Sequence, residues 1–281
     1  MTALGAVFRP QFPPELLRDM AKAADESGLD QLWVWEDCFS ESGIATAAAA
    51  LAWTERVQVG IGLLPAPLRN VALAGMEVAT LHRLFPDRLI LGVGHGLQSW
   101  MGQAGARVSS PLTLLREYLD ALRALLRGEE VSVDGTYVKL DKVRLDWPPL
   151  SPVKVYAGGV GPRTLQLTGE AADGTLLVAD ESAAGVRRAR DLVAQGRADR
   201  PEIIASLHVT TGPDAADRLL RAVPPGSEDV GVAGDAETIA AAVQRLVTAG
   251  ADTVILQATG DEPDPVGFVR FVATEIRPLI P

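Results

Sequence analysis

Hydrophobic positions along the chain alternate between short continuous runs and longer segments with helical spacing. The short runs are rich in apolar and β-branched residues, which predicts buried strands. The longer runs repeat apolar positions every three or four residues, and the first begins at Pro13-Pro14 and is followed by Gly28, as helices often are. The predicted strands cover residues 4–8, 30–35, 57–64, 88–93, 153–157, 175–178, 203–211 and 253–257. The predicted helices cover residues 13–27, 44–53, 71–84, 111–126, 162–172, 182–195, 236–249 and 266–279.

Strands that alternate with helices in this way indicate a parallel sheet. Eight such units in one chain of this length favour a closed (β/α)8 TIM barrel formed by a single domain, residues 1–281. Residues 129–152 interrupt the alternation with two strand-like pieces and a tight hairpin turn expected at Asp134-Gly135. The sequence therefore predicts an α/β barrel with a short insertion, containing a β-hairpin, after the fourth helix. The pattern is weakest between residues 197 and 234.

Charge and cysteine content narrow the classes of partner. The 281 residues carry a formal net charge of −10, which disfavours binding to nucleic acid or to an anionic membrane surface. The one cysteine, Cys38, cannot form a disulfide within the chain, which fits a reducing cytoplasm. The sequence shows neither a signal peptide nor an apolar run of about 18 residues. We therefore expect a cytoplasmic protein that acts on a small molecule.

Glycines and functional side chains follow the fourth predicted strand directly. The segment RLILGVGHGLQSWMGQ, residues 88–103, places His95 between two glycines and adds Gln98 and Trp100. Glycine lets another group approach the backbone closely, and parallel α/β folds bind ligands at the carboxyl ends of their strands. We therefore predict a ligand contact at His95, and structural roles for His82 and His208.

Carboxylates follow the second predicted strand. Asp37 is expected to accept a hydrogen bond from a polar ring edge or to act as a base. For the adjacent Glu36, a helix cap or an ion pair with an arginine is the better interpretation. The sixth strand leads to Asp180-Glu181 at the same rim.

The run AGGVGPRT, residues 157–164, exposes glycine amides just before a predicted helix, an arrangement typical of phosphate binding. The alternative is a tight turn that merely requires glycine. The run has neither the P-loop spacing nor the G-x-G-x-x-G spacing of a dinucleotide site.

Other chemistries find little support in the sequence. It contains no H-x-H, no H-E-x-x-H and no cysteine cluster, so no metal site is predicted and a metal-dependent barrel hydrolase is disfavoured. No G-x-S-x-G nucleophile motif is present. The aromatic side chains of Trp35 and Trp100, at the ends of strands, suit a planar heterocycle.

The combination of these motifs resembles the luciferase-like monooxygenase superfamily, whose members are (β/α)8 barrels that use FMN or the deazaflavin coenzyme F-420. The resemblance covers most of the chain and is most similar to the deazaflavin-dependent branch, which includes methylenetetrahydromethanopterin reductases. The segments that carry the resemblance are VWEDCF, GIGLLPAPLRN, FPDRLILGVGHGLQSWMGQ, GTYVKLDKVRLDWPP and VYAGGVGPRTLQLTGEAADG.

The resemblance implies an oxidoreductase that transfers a hydride between coenzyme F-420 and a small organic substrate, and a homodimer. The alternatives are an FMN-dependent luciferase-like monooxygenase and a non-catalytic protein that binds a flavin or deazaflavin. Two positions depart from the family pattern. Cys38 stands where members often have histidine, and Leu97 stands where they often have an acidic residue.

The resemblance also implies roles for individual residues. Asp37 would face the ring, Gly62-Leu63 would form a bulge, often with a cis peptide, against its back face, and Asp37 and His95 would handle protons or polarise the ring. The segment 94–98 would line the ring edge and ribityl chain, and residues 157–164 would hold the phosphate. The predicted cofactor-binding residues are Asp37, Gly62, Leu63, Gly94, His95, Gly96, Leu97, Gln98, Trp100, Ala157, Gly158, Gly159, Val160, Gly161, Arg163 and Thr164.

Overall fold

The alternation seen in the sequence forms alternating strands and helices in the computed structural model, which describes residues 2–178, 181–200, 202–223 and 230–281. Asp180, expected at the rim, lies outside the described residues. The strands are β1 (Ala3–Phe8), β2 (Gln31–Val34), β3 (Gln58–Pro65), β4 (Leu89–Gly94), β5 (Val131–Asp134), β6 (Lys139–Val143), β7 (Val155–Gly159), β8 (Gly174–Leu177), β9 (Glu202–Thr210), β10 (Gly231–Ala233) and β11 (Thr253–Gln257). The helices are α1 (Leu17–Ser27), α2 (Gly43–Trp53), α3 (Val71–Leu84), α4 (Gln98–Gln103), α5 (Pro111–Leu126), α6 (Pro162–Ala171), α7 (Ala183–Ala194), α8 (Ala215–Ala222), α9 (Ala236–Ala249) and α10 (Pro265–Phe271).

Eight parallel strands close into a barrel, which confirms the predicted TIM-barrel fold. Their order around the barrel is β1, β2, β3, β4, β7, β8, β9 and β11, and β11 pairs with β1 to complete the circle. The short strand β10 pairs with β9 outside this circle. Since all eight strands run in one direction, their carboxyl ends meet at a single rim.

Three elements were absent from the predicted pattern. The helix α4 holds six residues and α8 holds eight, and β10 holds three. Such short segments give too few repeats for a periodicity to show. The strand β10 exists because its backbone pairs with β9, which is a tertiary contact.

The insertion forms an antiparallel hairpin of β5 and β6, with Asp134 paired to Lys139. The Gly135 amide also donates to the Val138 carbonyl at 2.9 Å, so the tight connection lies at residues 136–137 and not at the expected Asp134-Gly135. The carboxylate of Glu117 on α5 accepts hydrogen bonds from the backbone of Tyr137 and Val138, at 2.8 and 3.0 Å. This side chain therefore supplies partners for amides of the turn.

The side chains inside the barrel form a core separate from the one beneath the helices. Alternate residues of each strand point inward. The inward core consists of Val7, Trp33, Tyr156, Leu176, Ile204 and Ile255. The indole of Trp33 is fully buried there and donates a hydrogen bond to Gln31 Oε1 at 2.9 Å. Gly60 gives this indole its space, because a Cβ atom at that position would overlap the ring.

We expect Gly60→Ala to lower the free energy of unfolding by about 1–3 kcal/mol, because overpacking forces neighbours from their positions. Gly75→Ala on α3 is the matched control, since its Cβ would lie 3.5 Å from Leu125 in ordinary contact. That control should raise stability by about 0.5–1 kcal/mol because alanine favours the helix. Urea unfolding monitored by circular dichroism measures both, and an unchanged Gly60→Ala variant would contradict the packing argument.

Candidate active site

A cavity of about 570 Å³ opens at the carboxyl rim of the barrel. It brings together twelve of the sixteen residues predicted to bind the cofactor. The lining residues among those predicted are Asp37, Gly62, Leu63, Gly94, His95, Gly96, Leu97, Trp100, Gly158, Gly159, Val160 and Gly161. A larger cavity, of about 920 Å³, lies at the opposite, amino end of the strands and contains none of them.

A bulge in β3 forms one wall of the cavity. The pairing of β3 with β4 shifts register between Ile61 and Leu64, and the Gly62-Leu63 peptide is cis. The resulting backbone directs the Leu63 side chain across the barrel mouth. A Cβ atom at Gly94 would lie 2.6 Å from Leu63 Cδ1, and one at Gly158 would overlap the same side chain. Gly94 and Gly158 therefore make room for Leu63, whereas the sequence had suggested that such glycines admit a ligand.

Asp37 follows β2 and places its carboxyl group in the cavity. Burial raises the pKa of this carboxyl above its ordinary value, and the charge of the Arg9 guanidinium opposes the rise only in part. A carboxyl group held this way can take up or release a proton closer to neutral pH than an exposed aspartate. Burial also raises the pKa of the Cys38 thiol, with the charges of Glu36 and Asp37 adding to the effect, so this thiol is a poor nucleophile.

Glu36 stabilises the rim through its contacts with other protein groups. Its carboxylate accepts a hydrogen bond from the Gly43 amide at the start of α2, at 2.5 Å, and forms an ion pair with Arg69, also at 2.5 Å. Arg69 pairs with Glu77 on α3 at 3.1 Å. The ion pair preferred for Glu36 on sequence grounds is present, whereas the N-cap residue of α2 is Ser42.

The segment after β4 forms a second wall. The His95 ring lies in the cavity, with Nδ1 3.0 Å from the Gly96 carbonyl oxygen. Gly96 has a φ of 67°, a backbone conformation that favours glycine. Gln98 does not line the cavity, because its amide turns back to donate to the His95 carbonyl at 3.4 Å. Trp100, on the short helix α4, does line it.

The glycine-rich loop 158–161 lines the cavity through its backbone, but the flanking residues do not. Ala157 is fully buried within β7, and the Thr164 side chain packs beneath Gly159. The Arg163 side chain lines a separate cleft between α5 and α6. These three residues therefore do not line the cavity, and their part in holding a phosphate stays a prediction.

Polar residues on the cavity floor were missed by the sequence reasoning. Arg9 Nη1 donates to Gln257 Oε1 at 2.7 Å, and Trp35 Nε1 approaches the same oxygen at 3.3 Å. His208 Nε2 lies 3.4 Å from Arg9 Nη1, and Ser206 also lines the cavity. His208 had been assigned a structural role. Their position along the strands could have identified some of them. Arg9 and Gln257 lie two residues beyond the inward core residues Val7 and Ile255, so their side chains point to the same side of the sheet.

Two further observations concern metal binding and membrane-spanning helices. Within the described ranges, no three His, Cys, Asp or Glu side chains are grouped closely enough to hold a metal ion. None of the helices in those ranges has both the length and the apolar character that a bilayer crossing requires.

Several known proteins resemble this chain in sequence. A 5,10-methylenetetrahydromethanopterin reductase from Methanolobus tindarius is 30% identical over 173 residues, which are 62% of this chain and 53% of that protein. An F-420-dependent glucose-6-phosphate dehydrogenase from Nakamurella multipartita is 31% identical over 176 residues, 58% of this chain and 52% of that protein. The chain thus spans about half the length of these curated relatives. A reductase from Archaeoglobus fulgidus matches more widely, at 27% identity over 95% of this chain and 76% of its own length.

Solved structures share the whole fold. An F-420-dependent tetrahydromethanopterin reductase from Methanopyrus kandleri superposes with a TM-score of 0.85 at 19% identity, covering 100% of this chain and 99% of its own. An F-420-dependent secondary alcohol dehydrogenase gives 0.86 at 22% identity with the same coverage. The family model described as luciferase-like monooxygenase matches residues 3–226. The chain therefore belongs to the luciferase-like monooxygenase family.

Proposed function

We propose that this protein is an oxidoreductase that transfers a hydride between coenzyme F-420 and a small organic substrate. The observation that carries the proposal is the convergence of three features on one cavity. They are the Leu63 bulge, the glycine-rich residues 158–161 that line the cavity, and the partly buried Asp37 carboxyl. F-420-dependent activity is also named for relatives in both the sequence and the structure comparisons.

The residues present fit a deazaflavin. A cavity of about 570 Å³ has the size of a small-molecule site and offers apolar contacts from Leu63 and Leu176 to a flat ring. Asp37 and His95 supply polar groups for a ring edge, and the glycine loop supplies backbone for a phosphate. When bound, a deazaflavin supplies a ring carbon that accepts or donates a hydride.

The chain's own groups would orient the reactants and handle the proton. The Asp37 carboxyl oxygen would hold or accept a proton beside the substrate, since burial favours its neutral form. His95 would donate or accept a hydrogen bond through the ring nitrogen not directed at Gly96. Leu97 and Trp100 would exclude water from the reacting atoms.

FMN is the alternative cofactor, since it has a similar ring and a phosphate, and one structural neighbour is a Baeyer-Villiger monooxygenase in complex with FMN. A non-catalytic carrier is less consistent with the site, because a carrier gains nothing from a buried carboxyl whose pKa is raised. We also propose a cytoplasmic location, which the single cysteine favours.

We further propose that the protein forms a homodimer through α2 and α3. The outward face of α3 exposes Leu73, Met76 and Leu84, where a helix facing water usually carries charged residues. Trp53, at the end of the neighbouring helix α2, is also exposed. A patch of exposed apolar side chains suits an identical patch on a second copy, since a symmetric dimer pairs each patch with itself.

Titration of the purified protein with F-420 and with FMN, followed by fluorescence, tests the cofactor. We expect saturable binding of F-420 that Gly161→Glu weakens about tenfold, because the new carboxylate would repel a phosphate at the loop. Gly161→Ala is the control, since a Cβ there meets nothing within 4 Å. Tight binding of FMN with none of F-420 would contradict the preferred cofactor.

Asp37→Asn should make the protein more stable at pH 7. The folded state keeps the Asp37 proton to a higher pH than the unfolded chain, so the ionised carboxylate costs stability once the pH rises above its unfolded value of 3.8. The advantage of Asp37→Asn should disappear as the pH falls below that value. Urea unfolding at pH 3 and pH 7 measures this difference.

Asp134→Asn is the control for Asp37→Asn, because its exposed carboxylate has a pKa lowered by a hydrogen bond from Lys139. It should give no gain in stability at pH 7. A less stable Asp37→Asn variant at pH 7 would show that the Asp37 charge is stabilised in the fold, contrary to the proposal.

Met76→Asp should convert the dimer to monomers, weakening association about a hundredfold or more, because a carboxylate would be buried without a partner. Leu220→Asp, on α8 and equally apolar and exposed, is the control and should remain dimeric. Sedimentation velocity gives the oligomeric state. A monomeric wild-type protein would rule out this interface.

A further inference from the structure

Apolar side chains surround the opening of the active-site cavity. Leu97, Val160 and Val178 line it and are nevertheless 56%, 59% and 46% exposed. They follow three different strands of the barrel, β4, β7 and β8. We call these three residues and the neighbouring Trp100 the apolar mouth.

Single exposed apolar residues are common on protein surfaces, but their convergence on one cavity is informative. The strands that carry them are separate in sequence, and the parallel pairing of β4 with β7 and of β7 with β8 brings the side chains to the same opening. Their exposed area is apolar surface that a ligand over the site would remove from water. The apolar mouth therefore favours a ligand with apolar groups facing outward.

Cationic groups are scarce around the same cavity. Among its described lining residues, Arg9 is the only lysine or arginine. Arg9 lies on the floor and donates to Gln257 at 2.7 Å and to Gln11 at 3.1 Å. The Asp37 carboxyl shares the cavity, and the chain carries a net charge of −10. An anionic substrate would thus approach an acidic protein and, among the described lining residues, meet no lysine or arginine other than Arg9 on the floor.

The glycine loop does not add a cationic side chain to the cavity. Its backbone is the one part of the cavity that we assign to a phosphate, and the proposed function uses it for the cofactor. The loop's neighbour Arg163 lines a separate cleft between α5 and α6.

We infer that the substrate is an uncharged, largely apolar small molecule held by the apolar mouth, rather than a phosphorylated or carboxylated one. This inference rests on the proposed function for the position of the cofactor. It assigns Leu97 and Val178 as residues that determine specificity. It also gives a physical reason for leucine at position 97, since an acidic residue there would place a charge against an apolar ligand.

Isothermal titration with a matched pair of probes tests the inference. We would titrate 2-heptanone and hexanoate, which are similar in size and differ in charge, and glucose 6-phosphate, into protein with and without saturating F-420. We expect saturable binding of 2-heptanone only. Leu97→Ala should weaken it about tenfold, because apolar contact area is lost, and Leu97→Glu and Val178→Glu should weaken it at least as much.

Leu150→Ala and Leu150→Glu are the matched controls, since Leu150 is 79% exposed and does not line the cavity. They should bind 2-heptanone as the wild type does. Affinity for F-420 is measured in every variant, so that a change in the cofactor site is recognised.

Binding of hexanoate or glucose 6-phosphate with no binding of 2-heptanone would overturn the inference, and so would a Leu97→Ala variant with unchanged affinity. If F-420 binds in those cases, the proposed function stands and only the substrate class is wrong. If F-420 fails to bind the wild type while 2-heptanone binds and depends on Leu97, the proposed function fails and the apolar mouth remains a ligand site.

Discussion

The site depends on one packing interaction, the insertion of the Leu63 side chain between strands β3, β4 and β7. The bulge that directs it inward is possible because Gly94 and Gly158 carry no side chains to oppose it. A wall built in this way is held by three strands at once, so its position is fixed by the barrel and not by a loop. A rigid wall of this kind is what a flat ring needs in order to be held in one orientation.

Two adjacent carboxyl groups lie beside this wall, and one of them remains available to a ligand. The Glu36 carboxylate accepts a hydrogen bond from a backbone amide and forms an ion pair with Arg69. These two contacts stabilise the rim between α2 and α3. Asp37, the next residue, faces the cavity, and burial raises its pKa. Both residues line the cavity, and they differ because the Glu36 oxygens are held by the Gly43 amide and by Arg69. One stabilises the fold, and the other remains available to a ligand at some cost to stability.

Much of the site could be read from the sequence because it follows directly after strands that have a clear pattern. Once the strand ends were located at Asp37, Gly62 and His95, the single rim of a parallel barrel required them to meet. The sequence was less informative about side-chain orientation. Arg163 and Thr164 are next to the glycine loop in sequence, yet Arg163 lines a separate cleft and the Thr164 side chain packs against Gly159. Arg9 and His208 were missed because their inward direction depends on strand register.

The sequence by itself determined the eight alternating units, the barrel and the segments that form its rim, because hydrophobic periodicity and glycine placement are local properties. Only the tertiary structure decided which side chains share the cavity. Pairing of β4, β7 and β8 brings Leu97, Val160 and Val178 to one opening, and barrel closure sets Gln257 beside Arg9 although 248 positions separate them. These contacts follow from strand pairing and inward register, which no single segment encodes, so they could not be inferred from any local pattern.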